Sequence, residues 1–408
     1  MLTSVGQLTD KDLGGPPKGL VTHLKIEGID VVALNVPYHQ TMGPVRRIRA
    51  FVSFMLLSCW QVLRTKSVDI IYASSTPLTV GVPALVGRWF RRIPYVFEVR
   101  DIWPAALVAL GLIRSRVSIW FLQHFERAVY RRAAAILALS PGMEVIVRRN
   151  APRRKQIVTV PNCSDTDLFH PGMDGKTIRR ERGWMDKFVC LHSGAMGRIN
   201  GLDVIVRAAE YFRDEPDFLF VLMGEGKEKA GLVEARDRLG LQNLQISDSV
   251  PKNRLPAVVA AADLCLMTVA NASILQHNSA NKFFDYLAAG KPVLLNYGGW
   301  QREVLESASA GLGCEQGDDE AFFANLAALK ADADRRAAMG RNARDLALRE
   351  FDRDKLAAQA LEVITQACDS DRTAQPKAPS QGRATRSRNR IATSAKHRRT
   401  SSRASTGR

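Results

Sequence analysis

A short segment in the last third of the chain combines residue types that suit a bound diphosphate and sugar. Ser279 is a favourable helix cap, and Gly290 followed by Pro292 ends a helix. A helix N-terminus offers free N–H groups and a partial positive charge, and Lys282 adds a full charge in the first turn. Asp285 lies four residues past Asn281, one turn beyond the expected phosphates, where a carboxylate accepts bonds from ribose hydroxyls. The alternative is an ordinary capped helix with a solvated lysine and aspartate.

A second candidate group follows a buried apolar run. Arg100 and Asp101 come directly after Tyr95–Val99, at the carboxyl end of an expected strand. Open α/β sheets place their ligands at that end. The guanidinium of Arg100 suits either a phosphate or the side of Glu98. The alternative is a structural Arg–Asp pair, with Trp103 filling the core beside it.

A third group combines basic and apolar residues in one helical pattern. The segment Arg46–Trp60 predicts an amphipathic helix of about four turns, and a second basic-aromatic cluster begins at Trp89. Helices of this kind lie in a membrane interface and prefer anionic lipid. The alternative is that the apolar face is simply domain core. The residues that we assign to a membrane or acceptor surface are Arg46, Arg47, Arg49, Phe51, Phe54, Trp60 and Trp89.

Alternating strands and helices must position these groups. Apolar runs separated by helical patterns indicate parallel sheets covered by helices, and strands buried on both faces are expected to be continuously apolar. The main helical patterns are Val117–Arg132, Leu202–Phe212 and Lys227–Leu239. The predicted strands are Asp69–Ala73, Tyr95–Val99, Ala135–Leu139, Ile157–Val160, Phe188–His192, Phe218–Met223, Leu264–Val269 and Val293–Asn296.

The pattern divides the chain into two Rossmann-like domains facing a cleft. We predict an N-terminal domain over residues 1–165, a turn-rich linker over 166–186 and a nucleotide-sugar-binding domain over 187–350. A helix over 351–370 is expected to pack back toward the N-terminal domain. The polar Gly/Pro loop at Asp12–Lys18 follows a strand-like start. We therefore expect the strand–loop–helix unit that opens such domains to be missing.

The charge is distributed unevenly along the 408 residues. Residues 1–150 carry 19 Lys and Arg against 9 Asp and Glu, whereas residues 371–408 carry 11 against 1. A basic first half indicates an anionic partner. The tail over 371–408 has almost no apolar residues, and we predict that it is disordered. It would bind nucleic acid only weakly and without specificity. The six scattered cysteines and the lack of a signal peptide or long apolar run indicate a cytoplasmic protein.

Several motifs together resemble family 4 of the retaining glycosyltransferases, which have the GT-B fold. The likeness covers residues 1 to about 365 and is closest to the branch that builds bacterial capsule, O-antigen and exopolysaccharide, including N-acetylfucosamine transferases. Besides Ser279–Pro292, the matching motifs are Ala73–Leu78, Phe97–Pro104, Ala138–Met143, Val160–Asn162, Gly197–Asp203 and Met223–Gly226.

The resemblance implies roles for individual residues. The family has two glutamates separated by seven residues, and in this chain these positions hold His277 and Asp285. The resemblance therefore implies that His277 contacts the donor sugar. The family's diphosphate-binding arginine and lysine fall on Ala195 and Asn200, so Arg198 and Lys282 are the expected substitutes. Three further residues are expected near the donor: Gly224 and Glu225 in a tight turn, and Val250, whose backbone pairs with the base. Arg100 and Asp101 are the implied catalytic residues, positioning the acceptor or steadying the sugar.

The expected activity is transfer of a sugar from a nucleoside-diphosphate sugar to a lipid-linked or saccharide acceptor with retention. The resemblance implies no cofactor and no metal, and a place on the inner face of the plasma membrane in surface polysaccharide synthesis. One alternative is a nucleotide-sugar 2-epimerase on the same fold, which only His277 supports. The other is a truncated homologue that binds nucleotide without turnover.

Overall fold

Most of the described strands form two parallel sheets in two α/β domains, which confirms the predicted fold class. The computed structural model describes residues 1–8, 10–15, 17, 19–38, 42–75 and 77–374. The strands in these residues are β1 (Leu2–Ser4), β2 (Val21–Ile26), β3 (Ile29–Leu34), β4 (Ile71–Ser75), β5 (Tyr95–Val99), β6 (Ala135–Ala138), β7 (Gln156–Thr159), β8 (Phe188–Ser193), β9 (Phe218–Met223), β10 (Leu244–Ser247), β11 (Leu264–Met267), β12 (Val293–Leu295) and β13 (Gly311–Gly313).

Helices connect most of these strands. In chain order they are α1 (Asp10–Leu13), α2 (Pro44–Arg64), α3 (Gly81–Arg91), α4 (Ala105–Ala109), α5 (Arg116–Arg132), α6 (Pro141–Asn150), α7 (Gly175–Arg182), α8 (Asp203–Tyr211), α9 (Lys229–Leu239), α10 (Leu255–Ala261), α11 (Asn281–Ala288), α12 (Trp300–Ser307), α13 (Asp319–Ala331), α14 (Ala333–Glu350) and α15 (Arg353–Ala374).

The first domain contains two sheets. Strands β4 to β7 form a parallel sheet in sequence order, and the side chains of its central strands β5 and β6 are largely buried. Before them, β2 and β3 form an antiparallel hairpin, and β1 pairs parallel with β3. The sequence pattern did not predict this hairpin, because β2 has no fully buried residue and lacks a continuous apolar run. The loop residues Pro16 and Lys18 and the motif residue Thr76 lie outside the described residues.

The second domain is one parallel sheet in the order β10-β9-β8-β11-β12-β13. Its central strands β8 and β9 are buried along their whole length, as their continuous apolar sequences predict. The order reverses at β8, since β9 pairs with one side of it and β11 with the other. A reversal of this kind opens a crevice at the carboxyl ends of the strands, where ligands bind in α/β sheets.

Helix α15 returns from the second domain to the first. Val363 and Ala367 on this helix belong to the same buried apolar cluster as Val96, Ala135 and Leu137 of the first sheet. Near its end, Asp371 pairs with Arg88 at 2.8 Å. The helix extends through residue 374, so the predicted start of disorder at residue 371 is wrong. The rest of the predicted tail, residues 375–408, lies outside the described residues.

Candidate functional site

A cleft of about 860 Å³ lies between the two domains. The first domain contributes Arg100 and Asp101 after β5, and Asn162 after β7. The second contributes the turns that follow β8, β9 and β10, together with the start of α11. The carboxyl ends of both parallel sheets therefore face one space. Of the predicted donor-binding residues, the cleft is lined by Asn200, Gly224, Glu225, Val250, Ser279, Asn281, Lys282 and Asp285.

Helix α11 begins at the cleft, but not in the way that the sequence predicted. Its N-cap is Ala280, which makes no side-chain capping bond, so the assignment of Ser279 as the cap is wrong. The Ser279 hydroxyl instead accepts the backbone N–H of Asn162 at 3.3 Å, which joins the two domains. Because no side chain caps the helix, its first N–H groups remain available to an anionic ligand.

Lys282 extends along the floor of the cleft. Its Nζ lies 2.9 Å from Nε2 of the buried His192 at the end of β8. Burial lowers the pKa of the Lys282 amine to about 7. The desolvated amine thus lies near the carboxyl end of β8 and loses its proton more easily than an exposed lysine. A bound anion would favour its protonated form. His192 was not identified from the sequence, because it lies inside an apolar strand.

Asp285 lies one turn further along α11. Its Oδ1 accepts a hydrogen bond from the Ser164 hydroxyl at 2.9 Å. Burial raises the pKa of the Asp285 carboxyl to about 6, while Ser164 and the charge of Lys252 act in the opposite direction. With one oxygen held by Ser164, the carboxylate keeps further acceptor capacity for a ligand hydroxyl.

Two glycine turns allow the strand ends to approach each other beside Lys282. A Cβ at Gly224 would lie 1.8 Å from the carbonyl oxygen of Gly194, and both residues have φ in the left-handed range, at 155° and 139°. Only glycine fits this arrangement without moving the backbone. Glu225 follows and pairs with Lys229 at 2.9 Å. Gly194 was missed at the sequence level, although a glycine directly after an apolar strand was a usable signal.

The first domain presents Arg100 and Asp101 across the cleft. The Arg100 backbone N–H donates to the Ser75 hydroxyl at 3.1 Å, and its guanidinium lies 3.7 Å from Glu98. Ser74 also donates a hydrogen bond to Glu98. Of the two partners expected for the Arg100 guanidinium, a phosphate and Glu98, the structure therefore shows Glu98. This contact holds the guanidinium at the end of β5. Asp101 is exposed on the cleft wall.

Two predicted donor residues do not line the cleft. Arg198 is exposed on a short 3-10 turn, because Gly201 with φ of 53° turns the backbone there. The ring of His277 packs against Gly142 of the first domain, and the Ser140 hydroxyl donates to the His277 carbonyl oxygen at 2.6 Å. His277 thus contributes to the contact between domains, so the residue that favoured the epimerase alternative is not on the cleft wall.

The predicted basic helix is longer than expected and is apolar on two faces. Phe54 packs inward against Leu34, Val36 and Ala50, and Phe51 stacks on Tyr38 at 5.5 Å, so these two phenylalanines do not form an exposed surface. A second stripe, which the sequence did not single out, faces outward, and we call it the α2 outer face. Its members are Val45, Ile48, Val52, Leu56 and Leu63, each between 44% and 77% exposed.

Basic residues flank this outer face. Arg46 and Arg49 are exposed on α2, whereas the Arg47 guanidinium lies 6.0 Å from the Tyr38 ring. Trp60 and Trp89 are also exposed, at 45% and 55%. Among the helices in the described part of the chain, none has the length and apolar character needed to cross a membrane.

Two sequence families and several solved structures resemble this chain. Residues 5–163 match the glycosyl transferase 4-like domain, and residues 174–346 match the glycosyl transferases group 1. A GDP-mannose-dependent alpha-(1-6)-phosphatidylinositol monomannoside mannosyltransferase of Mycolicibacterium smegmatis is 28% identical over 194 residues, 46% of this chain and 51% of that protein. The aligned regions span about half the length of the curated relatives that the chain matches.

The fold likeness extends over most of the chain. Sucrose-phosphate synthase from Thermosynechococcus elongatus superposes with a TM-score of 0.69 at 16% identity, covering 87% of each chain. Anabaena HepE in complex with UDP-glucose gives a TM-score of 0.64 at 19% identity, covering 77% of this chain and 82% of the other. With one glycosyl transferase domain on each side of the cleft, the chain belongs to the glycosyltransferases of the GT-B fold.

Proposed function

We propose that the chain transfers a sugar from a nucleoside-diphosphate sugar to an acceptor bound on the side of the first domain. The observation that carries this proposal is the convergence of Lys282, Asp285 and the Gly194 turn at one end of the cleft. These groups offer a cation and N–H donors to a diphosphate, and a carboxylate to a ribose. HepE was solved with UDP-glucose, and the mycobacterial relative is named as GDP-mannose-dependent.

The proposed chemistry places electrostatic stabilisation at the diphosphate. When the sugar leaves, negative charge grows on the phosphate oxygens, and Lys282 with the start of α11 would stabilise it. Asp101 and Arg100 face this end from the other domain and would position the acceptor or steady the positive charge on the sugar. We propose a retaining transfer without a metal ion, in which the donor's own phosphate removes the acceptor proton.

Calorimetry with UDP-glucose and GDP-mannose in the presence of EDTA tests the donor site. We expect one of them to bind, and Lys282→Met to weaken that binding at least about tenfold, because a charge-assisted contact is lost. Lys176→Met, at an exposed lysine of α7 outside the cleft, is the matched control and should bind normally. Normal binding by Lys282→Met, or binding that requires a divalent metal, would contradict the proposal.

We further propose that the first domain docks on an anionic membrane, which would bring a lipid-linked acceptor of surface polysaccharide synthesis to the cleft. The α2 outer face and its flanking arginines support this, since exposed apolar residues beside cations favour anionic interfaces. The apolar residues would enter the interface, while Arg46 and Arg49 would contact lipid head groups.

Sedimentation with vesicles of phosphatidylglycerol and phosphatidylcholine tests this docking. The double variant Ile48→Glu/Leu56→Glu should lose binding, whereas Leu348→Glu, an exposed leucine on α14, should not. Deleting residues 375–408 separates the contribution of the basic tail. If the deletion abolishes binding and the double variant retains it, the membrane contact belongs to the tail.

A further inference from the structure

A buried histidine beneath the cleft lies within hydrogen-bond distance of the donor-site lysine. His192 is fully buried near the carboxyl end of β8, and its Nε2 lies 2.9 Å from Lys282 Nζ. A protonated lysine amine can only donate hydrogen bonds, so once Lys282 is charged Nε2 must accept, and the neutral ring then carries its proton on Nδ1. In this tautomer the imidazole is an acceptor for the charged lysine.

The glycine that follows β8 makes room for the lysine amine. A Cβ at Gly194 would lie 2.9 Å from Lys282 Nζ, so the lysine tip fills the space that a side chain would occupy. Gly194 itself lines the cleft, directly after β8. The amine is thus confined between the imidazole on one side and the turn expected to hold the diphosphate on the other.

We propose that the neutral imidazole of His192 positions the Lys282 amine at the cleft floor, and that this amine takes up a proton from solvent when the donor's diphosphate binds. The inference rests on the proposed nucleotide-sugar function. His192 acts through Lys282 and touches no substrate, so it is a positioning residue. The proton ends on Lys282 Nζ, where the diphosphate provides the opposite charge.

The surroundings of the pair support this coupling. Burial lowers the pKa of Lys282 to about 7, and burial together with the Lys282 charge keeps the pKa of His192 well below its usual range. Burial also raises the pKa of Cys265 to about 12 and that of Tyr286 above its usual range, so both stay protonated. Asp285, with a pKa of about 6, is already ionised at pH 8. The other charged groups facing this end of the cleft are Arg100, Asp101 and Glu225.

Proton uptake is measured on the unmodified protein. Calorimetry with UDP-glucose at pH 8, in phosphate and in Tris, reports the protons taken up, because the two buffers differ in ionisation enthalpy. The diphosphate of UDP-glucose does not titrate near this pH. We expect an uptake close to one proton for the wild type and none for Lys282→Met. No uptake by a wild type that binds would overturn the inference.

Two variants test the positioning role. His192→Leu removes the acceptor and should weaken UDP-glucose binding about tenfold, whereas His192→Gln keeps an acceptor and should stay within about threefold of the wild type. In the Lys282→Met background, His192→Leu should have no further effect. An equal loss in both backgrounds would mean that His192 supports only the structure, and would refute the inference.

Failure of the inference is distinguishable from failure of the proposed function. If the wild type binds neither UDP-glucose nor GDP-mannose, the proposed donor site is wrong and the inference falls with it. If His192→Leu does not fold, as judged by circular dichroism, the inference is tested by the UDP-glucose affinity of His192→Gln and by the proton uptake of the wild type. A Gln variant that loses binding as completely as Lys282→Met would contradict the acceptor role.

Discussion

The replacement Asp285→Asn should weaken donor binding and stabilise the unliganded protein at the same time. Asp285 is a largely buried carboxyl whose pKa is raised from 3.8 to about 6 by burial. Its ionised form is therefore less favourable in the folded state than in the unfolded chain. An asparagine keeps a similar shape and can still accept the Ser164 hydrogen bond, but it carries no charge that must be desolvated.

The size and the pH dependence follow from the pKa difference. A shift of about two pH units corresponds to about 3 kcal/mol of destabilisation at most, by linkage. This cost is absent below the unfolded pKa, where both states are protonated, and is complete once the pH exceeds the folded pKa. It grows from about half its full value at pH 5 to nearly all of it at pH 8. The variant should gain most in stability at the higher pH.

Thermal unfolding at pH 5 and pH 8, together with UDP-glucose calorimetry, measures both effects. At about 2–4 °C per kcal/mol for a domain of this size, the gain at pH 8 is at most roughly 6–12 °C, and it should be smaller at pH 5. Asp237→Asn, an exposed carboxylate on α9, is the matched control and should change neither quantity. Equal stability of wild type and Asp285→Asn at pH 8, or unchanged nucleotide affinity, would refute the reasoning.

Two glycines give further predictions. Gly224→Ala should destabilise the second domain by about 3 kcal/mol or more, since it combines an unfavourable φ with a clash against the Gly194 backbone. Gly231→Ala is the control, because a Cβ there has open space, and it should be neutral or slightly stabilising. Thermal unfolding measures both variants. Gly142→Ala would place a Cβ 2.1 Å from Nδ1 of His277, and should lower the unfolding temperature and enlarge the radius of gyration in X-ray scattering. Adding His277→Ala should reverse both changes; no recovery would mean that this contact does not hold the domains together.

Local sequence patterns predicted the two parallel sheets because their inner strands are buried on both faces. Tyr95–Val99 and Phe218–Met223 match the structure to the residue. The hairpin of β2 and β3 escaped prediction because β2 is only partly buried and has no continuous apolar run. Continuous apolar runs thus predict where a strand is, whereas half-exposed strands depend on tertiary context.

The cleft was predicted where the residue types and the element ends agree. Lys282 and Asp285 follow from their positions on a helix that faces the strand ends, and the structure brings both to the cleft. Arg198 and His277 were assigned by spacing to family positions, and spacing does not determine the direction of a side chain on a turn. His192 lacked any local signal, because an isolated histidine in an apolar strand has no partner in the nearby sequence.

The return of α15 to the first domain also bears on how the protein folds during synthesis. Val96, Ala135 and Leu137 become covered by this helix, which emerges from the ribosome after the whole second domain. Roughly 200 residues separate β7 from the end of α15, which at about 5–20 residues per second is a delay of roughly 10–40 s. During that time one apolar side of the first sheet faces water. The nascent first domain is therefore expected to need a chaperone until α15 has emerged from the ribosome.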